Sequence, residues 1–152
     1  PTSGQYALEV RDLHRGGGPL YVYRLRVEES RPDFSLAVTA DHFAVTPEKP
    51  LEIPVTVTRS GGMSGEINIS VTDLPDGVSA ATVTSMGKGE TAKSVKLIIQ
   101  AKTAAAGKTI RVVGIAKHDG LTVSREATAP VVGLSQQTQY LWLSATVPPK
   151  KK

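Results

Sequence analysis

The residues of this chain that could do chemistry are few and widely spaced. His14-Arg15-Gly16-Gly17-Gly18 has the composition of an oxyanion-hole loop, in which glycine amides would hold a developing negative charge. That use needs a serine nucleophile on a strand-to-helix turn, and no Gly-x-Ser-x-Gly occurs; the flanking positions of Ser64 are Gly62 and Glu66. The loop therefore reads as a turn made of residues that tolerate positive φ. No helix follows these glycines to turn them into a phosphate cradle. His14, His42 and His118 all fall in or beside turns, and no two have close metal-ligand spacing. Asp41, Asp73, Asp76 and Asp119 offer oxygens of the kind calcium takes, but not at the dense, fixed spacing of a calcium loop. They read as turn formers whose carboxylates bond nearby amides. The absence of cysteine excludes disulfides, thiolate metal sites and a thiol nucleophile. Asn68-Ile69-Ser70 matches a glycosylation acceptor at an outward strand position, where chance explains it. The chain is expected to have no catalytic residues, no metal and no cofactor.

The better candidates for contact with a ligand are Tyr21, Tyr23, Tyr140 and Trp142. Aromatic rings on a sheet face hold sugars or peptides by stacking and apolar burial. The favoured use of the same rings is packing, because the strands that carry them must bury an apolar face. Of the seven aromatics only Phe34 and Phe43 fall between residues 31 and 132, so that stretch must build its core from Val, Ile and Leu.

Charge sharpens the division. The chain carries 18 basic and 14 acidic residues, net +4, in 152 residues. Residues 1–30 are neutral, 31–132 carry one excess positive charge, and 133–152 carry only Lys150, Lys151 and Lys152. Three terminal lysines without interleaved aromatics form a solvated tail, not a nucleic-acid surface. No apolar run approaches the roughly 18 residues of a membrane-spanning helix, so membrane insertion is not expected. No signal peptide is visible, and a chain that starts at Pro1 reads as a piece of something longer.

The elements that position these residues follow from period-two alternation. Tyr6, Leu8 and Val10 share one strand face, as do Tyr21, Tyr23, Leu25 and Val27, with a glycine-rich loop between them. Residues 5–28 thus read as a β-hairpin, and 29–33 as a linker. From Phe34 short strands recur: Phe34-Leu36-Val38, then Phe43-Val45, then Leu51-Ile53-Val55-Val57. Pro54 places its part of the third at an edge or bulge. Further strands are Ile67-Ile69-Val71, Val78 to Val83, Val95-Leu97-Ile99, Ile110-Val112-Gly114-Ala116, and Leu121 to Ala127. Ala104 to Gly107 reads as a connection and Asp119-Gly120 as a tight hairpin turn. About seven strands with turn signals every 8–12 residues or so are the signature of an all-β, antiparallel immunoglobulin-like β-sandwich. The expected organisation is a hairpin fragment of an upstream β-domain (1–30), the sandwich (31–132), and a strand-like tail (133–152) whose Tyr140-Leu141-Trp142-Leu143 could add a last strand. The hairpin face needs cover, either on the sandwich with the tail strand or on a second chain, so the protein is expected to be a monomer or a homodimer through the hairpin.

Gly4 to Asp12, Gly17-Gly18-Pro19 and Tyr21 to Val27 resemble the last two strands of the bacterial pre-peptidase C-terminal domain, over about 25 residues. That family is a small β-sandwich of exported and surface multidomain proteins. Its calcium-binding acidic residues belong to an upstream part with no counterpart in this chain. Residues 33–130, with Phe34 to Val38, Leu74-Pro75-Asp76-Gly77-Val78 and Gly107 to Ala116, are similar to bacterial immunoglobulin-like surface modules. The resemblance implies a non-catalytic structural or adhesive module of a modular exported bacterial protein, extracellular, at the cell surface or periplasmic. Its partners would be adjacent domains of the parent protein. The alternative is an extracellular ligand-binding module for polysaccharide or matrix protein that uses the flanking aromatics.

Overall fold

The computed structural model describes residues 4–118 and 120–146. Among them are eleven strands: β1 (Asp33–Val38), β2 (His42–Val45), β3 (Leu51–Ser60), β4 (Ile67–Thr72), β5 (Val78–Ala80), β6 (Val83–Ser85), β7 (Ser94–Ala101), β8 (Ala105–His118), β9 (Leu121–Pro130), β10 (Gln137–Thr138) and β11 (Leu141–Ala145). A single 3₁₀ turn spans Glu90–Ala92, and no helix among the described residues is long and apolar enough to cross a membrane.

Pairing divides the strands into two layers. One has the order β5-β7-β3-β1; the other runs β6-β4-β8, continued beyond β8 by β9 and by β11 with β2. Reading β1, β3, β4, β5, β7, β8 and β9 as strands A to G, these are the A-B-E-D and C-F-G sheets of an immunoglobulin-like sandwich. The layers are joined where β9 leaves β8 after Glu126 and pairs with β1 through Ala127 and Thr128.

Two features correct the expected antiparallel, roughly seven-stranded form. The β1–β9 and β2–β11 pairs are parallel, because the first and last strands run the same way at the margins of the layers. The strand count rises because strands that change layer break. The first is split into β1 on β3 and β2 on β11, and the stretch 78–83 into β5 on β7 and β6 on β4. Ala105 to Gly107, expected as a connection, is the start of β8 and pairs with β11. Pro54 lies where expected: the β1 ladder ends at Val38 opposite Val55, so Leu51 to Pro54 are paired through β7 only. Gly120 has positive φ between the closing pair His118–Leu121, and Asp119 lies outside the described residues, as do Lys150 to Lys152.

The inward faces are aliphatic. Ile53, Val55 and Val57 of β3, Val95, Leu97 and Ile99 of β7, Ile67 and Ile69 of β4, and Ile110 and Val112 of β8 are buried, with Phe34 and Leu36 between them. Gly114 sits where side chains of the facing layer approach the β8 backbone closely. A methyl there would lie 2.7 Å from Leu36 Cδ1 and 2.9 Å from Phe34 Cε2, so a larger residue would force those core side chains to shift. The last strand belongs to this core: Leu141, Leu143 and Ala145 are buried while Trp142 points outward.

The expected N-terminal hairpin is not formed. Its turn exists, with the Arg15 amide on the Asp12 carbonyl at 3.1 Å, but no strand is present from Gly4 to Pro32. Leu8, Val10, Tyr21, Tyr23, Leu25 and Val27 are exposed, so of the two expected covers for this face the sandwich does not supply one. Two strands without a covered face gain too little burial to hold a ladder in water.

Candidate functional site

The outward face of the β2-β11-β8 region collects the side chains best suited to meet a ligand. Alternation along β11 sends Trp142 outward, and Tyr140, one residue before the strand, shares that face. Trp142 is flanked in register by His42 of β2 and Thr109 of β8, and its amide donates to the Asp41 carbonyl at 2.7 Å. Gly107 of β8 lies beneath the indole: a methyl there would collide with Cζ2 and approach Cε2 and Nε1 to 2.7 and 2.9 Å. These three consecutive atoms form one long edge of the indole, so that edge lies over Gly107. Trp142 is nonetheless 43% exposed and Tyr140 63%.

Arg111 follows from the same register. Leu141 pairs with Ile110, so Tyr140 comes opposite Arg111, whose guanidinium carbon sits 5.5 Å from the phenol ring centroid. Arg111 is fixed on its far side by Glu126 Oε1 at 3.2 Å, with Asp73 Oδ2 at 3.9 Å. The hydrogen bond that Arg111 donates to Glu126, together with the charge of that carboxylate, holds the guanidinium's affinity for its proton above the ordinary arginine range. Asp73 reaches this position from a left-handed backbone, φ 61°, in the turn expected at 73–77.

Of the four aromatics singled out in the sequence, Tyr140 and Trp142 share this face. Tyr21 and Tyr23 lie on the N-terminal segment, 59% and 73% exposed. There Tyr21 rests on Gly16, beside an open cleft of about 510 Å³ lined by Val10, Asp12, Gly16 to Gly18 and Tyr23. In the glycine loop the Asp12 carboxylate accepts from the amides of His14 at 2.9 Å and Gly16 at 2.8 Å. Those amides are therefore engaged by the loop itself, as a turn aspartate would arrange. No group of three or more His, Asp or Glu able to hold a metal occurs among the described residues. Asn68 is exposed on β4 and accepts from Thr84 Oγ1 at 2.9 Å.

Gly107 and Arg111 were not singled out in the sequence. A glycine within a strand marks close approach of another group, but residues 104–107 read as a connection in the sequence, so Gly107 does not stand out there. Arg111 was legible as outward-facing; its pairing with Tyr140 depends on the β8–β11 register, which no local pattern fixes.

A separate polar pair ties the start of β1 to β9. Asp33 accepts from Arg125 Nη2 at 2.8 Å and from the Phe34 amide at 2.7 Å. The Arg125 hydrogen bond draws the Asp33 carboxyl below its ordinary range, against a smaller opposing push from burial. A depressed carboxylate contributes stability above its unfolded-state pKa and loses it as pH falls through the folded value. Asp33→Asn is therefore expected to cost up to about 1 kcal/mol at neutral pH, since the pair is half exposed. The difference from the unmutated protein should shrink as pH falls below the ordinary aspartate range and the folded-state carboxyl takes up its proton. Urea titrations of both proteins across this range check it; a gap that persists at low pH refutes the assignment.

Comparison with known proteins finds no family model that matches the chain and no curated protein significantly similar to it.

Proposed function

We propose that the chain is a non-catalytic, structural or adhesive β-sandwich module of a modular exported or surface bacterial protein. The observation that carries this reading is the contrast between its two parts. Residues 33–145 fill their own aliphatic core, while residues 6–10 and 21–27 carry the alternation Tyr6-Leu8-Val10 and Tyr21-Tyr23-Leu25-Val27 with those side chains exposed. A segment with strand pattern and no cover suits addition to the sheet of an adjacent module. The resemblance of the same residues to the closing strands of a pre-peptidase C-terminal domain supports an extracellular or periplasmic setting. Hydrogen exchange on the longer parent protein tests the reading. Amides of residues 6–10 and 21–27 are expected to be protected there and fast in the 152-residue chain; fast exchange in both refutes it. A concentration-dependent dimer that disappears when residues 1–28 are removed would instead assign the segment to a second copy.

A second reading, a ligand-binding module for polysaccharide or matrix protein, is favoured by one specific observation. Tyr140 and Trp142 face outward together on a sheet whose inward face is already filled.

A further inference from the structure

We infer that Trp142, Tyr140 and Arg111 form a stacking platform for the ring of an uncharged polysaccharide. The inference rests on the second reading above and narrows it to one ligand class and one of the two aromatic pairs.

The geometry is that of a prepared surface. One edge of the indole is seated against Gly107, and the outward-pointing ring keeps 43% of its surface open to solvent. The ring cannot sink further, and a side chain at 107 would lift it. An aromatic face carries partial negative charge and attracts the weakly positive C–H groups on the apolar face of a sugar ring. Tyr140, two residues earlier on the same side, extends the platform along the strand by about 7 Å. Its phenol is held by Arg111, which is itself held by Glu126 and Asp73. These contacts reduce the side-chain freedom that binding would otherwise remove, which favours affinity on an open surface.

The rim decides the ligand class. Thr109 and His42 flank the indole in register, and Arg111 and Glu126 lie beyond the phenol. Hydroxyl, imidazole, guanidinium and carboxylate groups around an apolar centre match a ring with C–H faces and hydroxyl edges. A purely apolar peptide would leave these polar groups without partners. Charge argues against an anionic polymer: the Arg111 cation is already shared between Glu126 and Asp73, and Asp41 lies against His42, with Lys108 a further cation placed nearby. Uronate or sulfate groups would meet more carboxylate than free cation.

Trp142 is the chain's only tryptophan, so its fluorescence reports this site alone. The whole protein is titrated with soluble β-glucan, mannan and arabinoxylan as neutral polymers, and with alginate and heparin as anionic ones. A saturable shift in emission with at least one neutral polymer and none with the anionic ones is expected. In affinity gels containing that polymer, Trp142→Ala should abolish retardation and Trp142→Phe should retain part of it. Gly107→Val should weaken binding by about tenfold, the scale of one aromatic stacking contact. Melting curves show whether each variant is folded, and the Phe variant serves if the Ala variant is not. Three results overturn the inference: no neutral polymer moves the emission, retardation survives Trp142→Ala, or the anionic polymers bind instead. Collagen and fibronectin, probed in parallel, separate the two levels of the claim. If Trp142→Ala abolishes binding to one of them while no glycan binds, the ligand-binding reading stands and the glycan assignment falls. If neither class binds, both fall.

Discussion

Arg59→Met is expected to destabilise the protein by about 3 kcal/mol, the cost of stranding several acceptors of a charged donor. For a domain of this size that is a fall in Tm of roughly 10 °C. The Arg59 guanidinium donates to the carbonyls of Ala92 at 2.5 Å, Ser85 at 3.0 Å and Gly65 at 3.4 Å, and to the Ser85 hydroxyl at 3.1 Å. It thereby fastens the end of β3 to the end of β6, to the 3₁₀ turn and to the loop after β3. Ser85 is fully buried and passes the connection on, donating its hydroxyl to the Thr91 carbonyl at 2.6 Å. Methionine fills a similar length but leaves those oxygens with nothing to accept from. Burial draws the Arg59 pKa below its ordinary value, though an arginine keeps its charge at neutral pH. Arg59→Lys is expected to recover only part of the loss, because one ammonium cannot span acceptors from three segments. Urea denaturation at neutral pH checks both variants. A loss below about 1 kcal/mol for Arg59→Met would show that water satisfies these oxygens.

Arg59 also shows how far the sequence could be read. The alternation Ile53, Val55, Val57 places residue 59 on the same inward face, so an inward arginine was there to be seen. What could not be seen was its set of partners, which come from 6 to 33 residues further along the chain. The same boundary runs through the rest of the molecule. Strand faces were legible because a half-buried strand must alternate: Phe34-Leu36-Val38 and Ile110-Val112-Gly114-Ala116 are inward as expected. Layer changes were not, because nothing in Val78 to Val83 announces that its two halves join different sheets. The hairpin over 5–28 failed for the complementary reason. Alternation states which face would be buried and not whether anything buries it. At the candidate site the outward placement of Trp142 follows from Leu141 and Leu143 being apolar, but its seat on Gly107 is a product of register.

The strongest consequence of that register concerns the end of the chain. Replacing both Leu141 and Leu143 by alanine is expected to cost about 4–10 kcal/mol, on the scale of 2–5 per buried leucine. That is comparable to the 5–15 kcal/mol or so of a whole domain, so the double variant should be largely unfolded at ambient temperature. Both leucines are fully buried, and their strand does more than fill the core. β11 is the ladder partner of β2 and the partner of the first half of β8. A chain ending at residue 136 would therefore leave β2 without its ladder and expose Val45 and Ile110 together. Removing residues 1–28 provides the contrast: the apolar side chains of 8–27 are exposed and contribute no strand, so Tm should change by less than about 3 °C. Melting curves followed by circular dichroism, with the Trp142 emission as a second probe of the intact strand, distinguish the cases. A cooperative transition near that of the parent protein after loss of β11 would show that the sandwich closes without it. A large destabilisation after loss of residues 1–28 would show that the N-terminal segment carries stability despite its exposure.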